Sequence, residues 1–227
     1  MMAFLRGLFL LAGVVLLLSV GWVGLYRVVD PPVTFLMLRD RLAGKEVQRQ
    51  GVPLSAISPH LPRAVIAAED SRFCQHRGFD REAIEAALRS NQEGGRLKGA
   101  STLSQQVAKN AFLWPGRTWL RKGLEAWFTF WLELLWPKAR VMEVYLNIVE
   151  WDAGVFGAEA AARHYFGKPA ARLTAAESAR LAAILPSPVT RNAARPGRYT
   201  ARYARTIEKR MRVVKGDGLD VCLRGDG

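Results

Sequence analysis

A run of twenty uncharged residues near the amino terminus constrains this chain more than any other feature. Residues 7–26 read GLFLLAGVVLLLSVGWVGLY and lie between Arg6 and Arg27. As an α-helix, such a run is long enough to cross a hydrocarbon core of about 30 Å. Trp22 and Tyr26 stand near its end, where amphipathic aromatic rings suit a membrane interface. We therefore predict a membrane anchor over residues 7–26.

A cleaved signal peptide is the competing interpretation of this run. The apolar core of a signal peptide is normally about 7–15 residues long, and no small-x-small cleavage site follows here. Charge leaves the orientation open. Basic residues after the span outnumber Arg6 before it, which favours a cytoplasmic carboxyl terminus, but long domains translocate largely regardless of charge.

The rest of the chain is long enough for one domain and is strongly basic. Of the 227 residues, 33 are Lys or Arg and 20 are Asp or Glu, so the formal charge is +13. This charge favours a polyanionic partner, and nucleic acid, anionic lipid and a phosphate-bearing substrate all remain open. Cys74 and Cys222 are too few for a disulfide framework and lack the spacing of a zinc site.

Two adjacent carboxylates, Glu69 and Asp70, stand at a predicted helix end in the segment EDSRFCQHRGFD, residues 69–80. The preceding LPRAVIAA favours a helix, and Asp80 can cap a new helix after the segment. A carboxylate backed by these apolar residues is partly desolvated, which raises its proton affinity toward the range of a general base. The alternative is a solvated helix terminus with neighbouring arginines as ordinary surface partners.

A dense polar cluster follows in GASTLSQQVAKN, residues 99–110. Ser101 or Thr102 can cap a helix that carries two glutamines and Lys109 on its first turns. A helix amino terminus supplies backbone donors and a positive dipole, to which hydroxyl groups and the lysine add. The cluster therefore suits a phosphate or pyrophosphate.

With these two segments the chain resembles a monofunctional peptidoglycan glycosyltransferase of family 51, also called a biosynthetic transglycosylase. EDSRFCQHRGFD matches the family motif ED-x-x-F-x-x-H-x-G-x-D, and GASTLSQQVAKN matches G-G/A-S-T-I-T-Q-Q-x-x-K-N. Arg121, Lys122 and Glu125 match R-K-x-x-E, a fourth motif includes Asn147, and LTAAESARLAAILPSP resembles the fifth. These motifs occur in order between residues 61 and 188.

The resemblance implies a mainly α fold, with an N-terminal transmembrane helix followed by a lysozyme-like helical glycosyltransferase domain with two lobes. No run of alternating strands is evident in the sequence. The expected divisions are a cytoplasmic tail (1–6), the anchor (7–26), a linker with an amphipathic helix (27–60), the glycosyltransferase domain (61–215) and a C-terminal tail (216–227). The implied location is the bacterial cytoplasmic (inner) membrane, with a cytoplasmic amino terminus and a periplasmic catalytic domain.

The resemblance also implies an activity, the polymerisation of lipid II by β-1,4 linkages with release of undecaprenyl pyrophosphate. Glu69 would be the general base. Glu125 would be the second catalytic carboxylate, which protonates or orients the leaving pyrophosphate or binds a divalent cation, Mg or Mn. The implied partners are lipid II, the growing glycan chain, the membrane and other cell-wall synthesis and division proteins, and not nucleic acid.

The motifs assign further residues to the site by resemblance. The residues expected to bind substrate and pyrophosphate are Ser101, Thr102, Gln105, Gln106, Lys109, Asn110 and Arg117. The residues expected to support the motifs are Asp70, Phe73, His76, Gly78, Arg121, Lys122 and Asn147.

Two other functions remain open at this point. A lytic transglycosylase, which cleaves glycan strands, also works around one glutamate on a helical fold, but the STLSQQ block and a second glutamate argue against it. A noncatalytic basic membrane protein would bind anionic lipid or nucleic acid in a strongly salt-dependent way, and Glu69 would be dispensable.

An aromatic-rich segment covers residues 112–136 and contains Trp114, Trp119, Trp127 and Trp136. Such a stripe is more often core than function. Here the predicted anchor tethers the domain to a bilayer, and Trp and Arg prefer the membrane interface. Both points favour membrane contact over core packing for this segment. We predict that this segment dips into the bilayer near the donor site.

Overall fold

The computed structural model of the protein describes residues 2–93, 101–116 and 118–224, most of which are α-helical. This confirms the mainly α fold class. In chain order the helices are α1 (Met2–Tyr26), α2 (Phe35–Leu42), α3 (His60–Glu69), α4 (Arg81–Gln92), α5 (Leu103–Phe112), α6 (Trp119–Leu135), α7 (Lys138–Ile148), α8 (Ala158–Phe166), α9 (Ala175–Ile184) and α10 (Arg198–Gly216).

Several helix ends follow the signals in the sequence. The Asp80 side chain accepts a hydrogen bond from Ala83 N at 3.0 Å and caps α4, as predicted. Thr102, rather than Ser101, is the cap of α5. Gly167 adopts the left-handed conformation and ends α8. Glycine adopts this conformation at no steric cost because it has no Cβ.

The apolar run near the amino terminus forms the continuous helix α1, and Phe4–Tyr26 is long and apolar enough to cross a membrane. Most of α1 is exposed, but its last turns enter the core of the domain. The Trp22 ring meets the Phe112 ring edge-on at 5.3 Å. Trp136 Nε1 donates a hydrogen bond to Val23 O at 2.8 Å. The single-pass anchor indicated by α1 is therefore packed against the domain.

Two groups of helices meet at the end of α3. One group consists of α3, α9 and α10, and in the other α5 packs on α6 and α7 while α1 packs on α6. Glu69 is the last residue of α3, and its side chain contacts α5. The predicted acid/base carboxylate therefore lies where the two groups meet.

A small sheet joins the segment after α2 to the domain. Its strands are β1 (Gln48–Arg49), β2 (Glu150–Asp152) and β3 (Val155–Phe156), in the order β1-β3-β2. β1 runs parallel to β3, and β2 runs antiparallel to it. The sheet thus places residues from the expected linker, 27–60, beside α7 and α8.

A disulfide connects Cys74, in the loop after α3, to Cys222 near the carboxyl terminus, with a Cα–Cα distance of 5.5 Å. Close to it, Arg63 Nε and Asp220 Oδ2 form an ion pair at 2.7 Å. No pattern in the sequence indicated this pairing, because two cysteines are too few for a recognisable framework. The residues expected to be a C-terminal tail are thereby held against the first turns of α3.

Candidate active site

The half-buried carboxylate of Glu69 lies at the end of α3. Its Oε2 accepts a hydrogen bond from Gln106 Nε2 on α5 at 3.0 Å. Burial raises the pKa of Glu69 above its ordinary value; the Gln106 hydrogen bond and the charges of Lys109 and Arg191 oppose this rise, and Asp70 adds to it. Because a desolvated carboxylate gains proton affinity, Glu69 has the character expected of a general base.

Tyr145 fixes the orientation of the Gln106 amide. Its hydroxyl donates to Gln106 Oε1 at 3.3 Å, so the amide nitrogen faces Glu69. Burial raises the pKa of Tyr145 well above its usual value, which keeps this donor protonated. Among the described residues, Oε1 of Glu69 has no hydrogen-bond partner. That oxygen is therefore available to a substrate hydroxyl.

Asp70 is buried beside Glu69 and joins three parts of the chain. Its carboxylate contacts His76 Nε2 at 2.9 Å and accepts a hydrogen bond from Leu103 N, in the first turn of α5, at 2.9 Å. These contacts hold the end of α3 against the start of α5. Asp70 therefore positions Glu69 relative to the residues of α5.

The start of α5 uses several of its polar groups for structure. Thr102 Oγ1 donates to Gly78 O at 2.6 Å, and Gln105 Oε1 accepts from Thr102 N at 3.0 Å. Gly78 has a φ of +83°, and a Cβ there would lie 2.8 Å from Thr129 Cγ2. Thr102 and Gln105 are thus engaged in the helix cap, whereas Ser101 is exposed.

Lys109 and Asn110 lie half-buried near the end of α5, between two cavities. A cavity of about 300 Å³ extends from them to Trp114 and Arg121. Another, of about 160 Å³, extends toward Gln106 and the loop after α9. Within the described residues Lys109 Nζ has no ion-pair partner. Burial lowers the pKa of Lys109, and the charge of Glu125 opposes this change.

One residue of the expected pyrophosphate site, Arg117, lies outside the described residues. The described part of the site therefore contributes cations from α5 and α6 alone. Arg121 on α6 is buried, and its Nε has no hydrogen-bond partner among the described residues. The residue also lines the cavity of about 300 Å³, where a guanidinium group can bind an anion.

Glu125 is buried on α6 between two cations. Its Oε2 lies 3.4 Å from Arg121 Nη1, and its Oε1 contacts Lys122 Nζ. The structure, over the ranges it describes, has no group of three or more His, Cys, Asp or Glu side chains that could hold a metal ion. Because both oxygens of Glu125 already face cations, this donor set does not fit Mg or Mn, and we assign Glu125 to holding Arg121 and Lys122 in place.

Phe73 and Asn147, both expected to support the motifs, make structural contacts. Phe73 is fully buried, and the Lys138 Nζ lies 4.6 Å from the centroid of its ring. Asn147 donates to Val52 O at 2.8 Å and accepts from Val52 N at 3.1 Å. It thereby holds the segment after β1 against α7.

Two residues that the sequence analysis did not single out form a wall next to Glu69. The Tyr203 hydroxyl on α10 donates to Ala68 O at 3.3 Å. Arg191, just after the fifth motif, donates to Ala183 O at 2.8 Å and acts electrostatically on Glu69. Only its position three residues after the fifth motif could have indicated from the sequence that Arg191 lies near the site.

Comparisons with known proteins identify the family of the chain. A family model described as Transglycosylase matches residues 37–215. A biosynthetic peptidoglycan transglycosylase of Rhodospirillum centenum is 57% identical over 214 residues, covering 94% of this chain and 92% of the relative. Proteins of the same name are similar in Caulobacter vibrioides (53% over 199 residues, 88% and 87% covered) and Pseudomonas fluorescens (54% over 211 residues, 90% and 88% covered).

Proposed function

Because the chain belongs to the transglycosylase family, we propose that this peptidoglycan glycosyltransferase joins lipid II disaccharides by β-1,4 linkages and releases undecaprenyl pyrophosphate. The observation that carries the proposal is the half-buried Glu69 carboxylate, which forms no ion pair with any described residue. It accepts a hydrogen bond from Gln106, on the helix that also carries Lys109. A general base and a cation for a leaving phosphate are the two groups that such a transfer requires.

The proposed step is a direct displacement at the anomeric carbon of the donor. The 4-hydroxyl of the acceptor sugar gives its proton to Oε1 of Glu69, and the hydroxyl oxygen forms a bond to that carbon. The bond between the anomeric carbon and the pyrophosphate oxygen breaks with its electron pair, and the configuration inverts from α to β. Gln106, which occupies Oε2, leaves the other oxygen to the substrate.

The leaving pyrophosphate needs positive charge more than a strong acid, because it departs as an anion. Lys109 and Arg121 border the cavity of about 300 Å³ that would receive it. Charges held in place before the reaction stabilise the transition state without reorganisation. Glu125 serves this step by orienting Arg121 and Lys122. By resemblance, we also place Ser101, Asn110 and Arg117 at the donor.

We further propose that α1 anchors the enzyme in the inner membrane, with the amino terminus in the cytoplasm and the catalytic domain in the periplasm. Trp127 Nε1 on α6 donates to Ser19 Oγ within the apolar run of α1 at 3.2 Å. Trp119, also on α6, is 93% exposed. An amphipathic aromatic face beside the anchor supports the expected bilayer contact. Phe128 and Trp136, in contrast, belong to the core.

The direct test is to incubate the full-length protein in detergent with lipid II and to separate the glycan products on a gel. The wild-type protein should make polymer and release undecaprenyl pyrophosphate. Glu69→Gln keeps the shape of the side chain but cannot take the proton, so its rate should fall by about 10²–10⁴. Near-normal polymerisation by Glu69→Gln, or anhydro-muramyl products from purified peptidoglycan, would overturn the proposal.

A further inference from the structure

A second cavity rich in cations lies at the other end of α3, away from Glu69. This cavity, here called the α10 groove, has a volume of about 470 Å³. Its basic lining residues are His60, Arg63, Arg205, Lys209, Arg212 and Lys215. The groove has one carboxylate in its lining, Glu208. Its volume falls in the range of small-molecule sites, about 300–1,000 Å³.

The cations of α10 are not explained by the packing of that helix. The buried face of α10 consists of Thr200, Ala204, Ile207, Met211 and Val214. The opposite, exposed face carries Arg198, Arg202, Arg205, Lys209 and Arg212, spaced alternately by four and three residues. Residues at this spacing are neighbours on a helix surface, and like charges there repel. The stripe therefore works against the stability of the isolated helix.

The charge of this stripe is not neutralised within the described ranges of the chain. Arg205, Lys209 and Arg212 take part in none of the ion pairs found there. Arg63, across the groove, is held by Asp220 at 2.7 Å, and Asp220 also pairs with Arg224 at 3.1 Å. Glu208, the one carboxylate in the lining, forms no ion pair among the described residues, so solvent ions or a ligand can supply the remaining counter-charge.

Two helix amino termini add to the positive potential of the groove. His60 is the first residue of α3, and Ala175 is the first residue of α9. The positive ends of the two helix dipoles therefore lie in the groove lining. Guanidinium groups bind phosphate oxygens through paired hydrogen bonds, and helix amino termini favour the same ligand.

The groove is separate from the catalytic centre. His60 and Glu69 occupy opposite ends of α3, roughly 14 Å apart at the rise of an α-helix. A cavity of about 400 Å³ that Glu69 lines also borders α10, at Arg210 and Val213. Neither this cavity nor the two that contain Lys109 share a lining residue with the groove. We infer that the α10 groove is a second anion site, which binds a phosphate-bearing group and is distinct from the site of glycosyl transfer.

Calorimetric titration of the full-length protein in neutral detergent with inorganic pyrophosphate tests this site. The matched variants are R205Q/R212Q, which removes two arginines from the groove, and R198Q/R202Q, which removes two from the same helix face outside it. We expect R205Q/R212Q to weaken one binding event at least tenfold, because charge-assisted hydrogen bonds are lost. R198Q/R202Q should change it less than about threefold, because neither arginine lines the groove and salt screens their exposed charges.

A third variant, K109A, separates the groove from the catalytic centre, because it should leave the groove event in place. Competition by a short-chain phosphatidylglycerol identifies the natural source of the phosphate. Displacement of pyrophosphate supports a lipid headgroup, and failure to displace it supports a soluble phosphate; either result keeps the site. Equal weakening in both double variants would attribute binding to the overall charge of +13 and overturn the inference, as would unchanged binding in R205Q/R212Q.

Discussion

Glu69 at the end of α3 and Glu125 in the middle of α6 both act electrostatically on Lys109, yet their immediate surroundings differ. Glu69 accepts one hydrogen bond from a neutral amide and forms no ion pair among the described residues. Glu125 lies between Arg121 and Lys122, with one cation at each oxygen. A carboxylate without a cation can exchange a proton, whereas one between cations is better suited to hold them in place.

The contrast teaches that a motif residue takes its role from its neighbours. The sequence analysis assigned both Glu69 and Glu125 as catalytic carboxylates, because each belongs to a family motif. From the polar groups around each one, we propose that Glu69 is the proton acceptor and Glu125 the residue that orients Arg121 and Lys122, as in other enzymes whose two carboxylates differ in environment. The predictions below change one side of this comparison at a time.

After Glu69→Gln, the largest effect is expected for Lys109→Ala, which removes the cation that both carboxylates influence. The substitution should lower kcat/KM by about 10²–10³, the loss typical of a group that stabilises developing negative charge. It should also weaken the binding of a phosphoglycolipid inhibitor at the donor site. Lys45→Ala, which removes an exposed lysine, is the control. Full activity in Lys109→Ala would remove this residue from the site.

A smaller loss is expected for Glu125→Gln, because the amide still fills the space but no longer holds two cations. We expect kcat/KM to fall by on the order of tenfold, with weaker inhibitor binding. Removing one partner of a buried ion pair typically destabilises a fold by about 3–5 kcal/mol. Because Lys122 is partly exposed, we expect the destabilisation by Glu125→Gln to lie at the lower end of this range. A loss of activity in Glu125→Gln as large as that in Glu69→Gln, with no change in the stability of the fold, would contradict this role. Glu125 would then take part in the chemical step itself.

Asp70→Asn tests the support of Glu69 rather than its chemistry. The amide replaces one carboxylate oxygen by an NH2 group, which places a second donor against His76 Nε2 or Leu103 N. Leaving a buried donor unpaired costs about 1–3 kcal/mol, which chemical denaturation can measure. The activity should fall several-fold, and the shape of its pH dependence should be retained. A new pH dependence in Asp70→Asn would mean that Asp70 itself exchanges protons.

The smallest effect is expected for Gln106→Met. The Gln106 hydrogen bond lowers the pKa of Glu69, so its loss raises that pKa further. A higher pKa leaves more Glu69 protonated at a given pH, and the decline in activity on acidification should begin at higher pH. Tyr145→Phe keeps the bond to Glu69 and should shift the profile less. A shift to lower pH in Gln106→Met would contradict the assigned contact.

Much of the fold could be predicted because its signals are local. The apolar run of α1, the Asp80 cap of α4 and the Gly167 stop of α8 each depend on a few consecutive residues. The raised pKa of Glu69 was also predictable, since the apolar residues before it supply the burial.

The features that could not be predicted depend on distant pairs of residues. Cys74 and Cys222 are 148 residues apart, and only the folded chain brings them together. The strands of the sheet are two or three residues long, too short for an alternating pattern to be recognised. Thr102 and Gln105 form a capping box, which sequence alone does not separate from a binding site, and their contact with the substrate stays a prediction.

The central claim is that Glu69, rather than Glu125, takes the proton of the acceptor hydroxyl. The most direct test measures kcat/KM for lipid II against pH in the wild-type protein, Glu69→Gln and Glu125→Gln. In the wild type, activity should fall on acidification through one ionisation whose pKa lies above the ordinary carboxylate value of 4.5. The residual activity of Glu69→Gln should lack this ionisation, and Glu125→Gln should retain it. The opposite pattern, with the ionisation present in Glu69→Gln and absent in Glu125→Gln, would contradict the account.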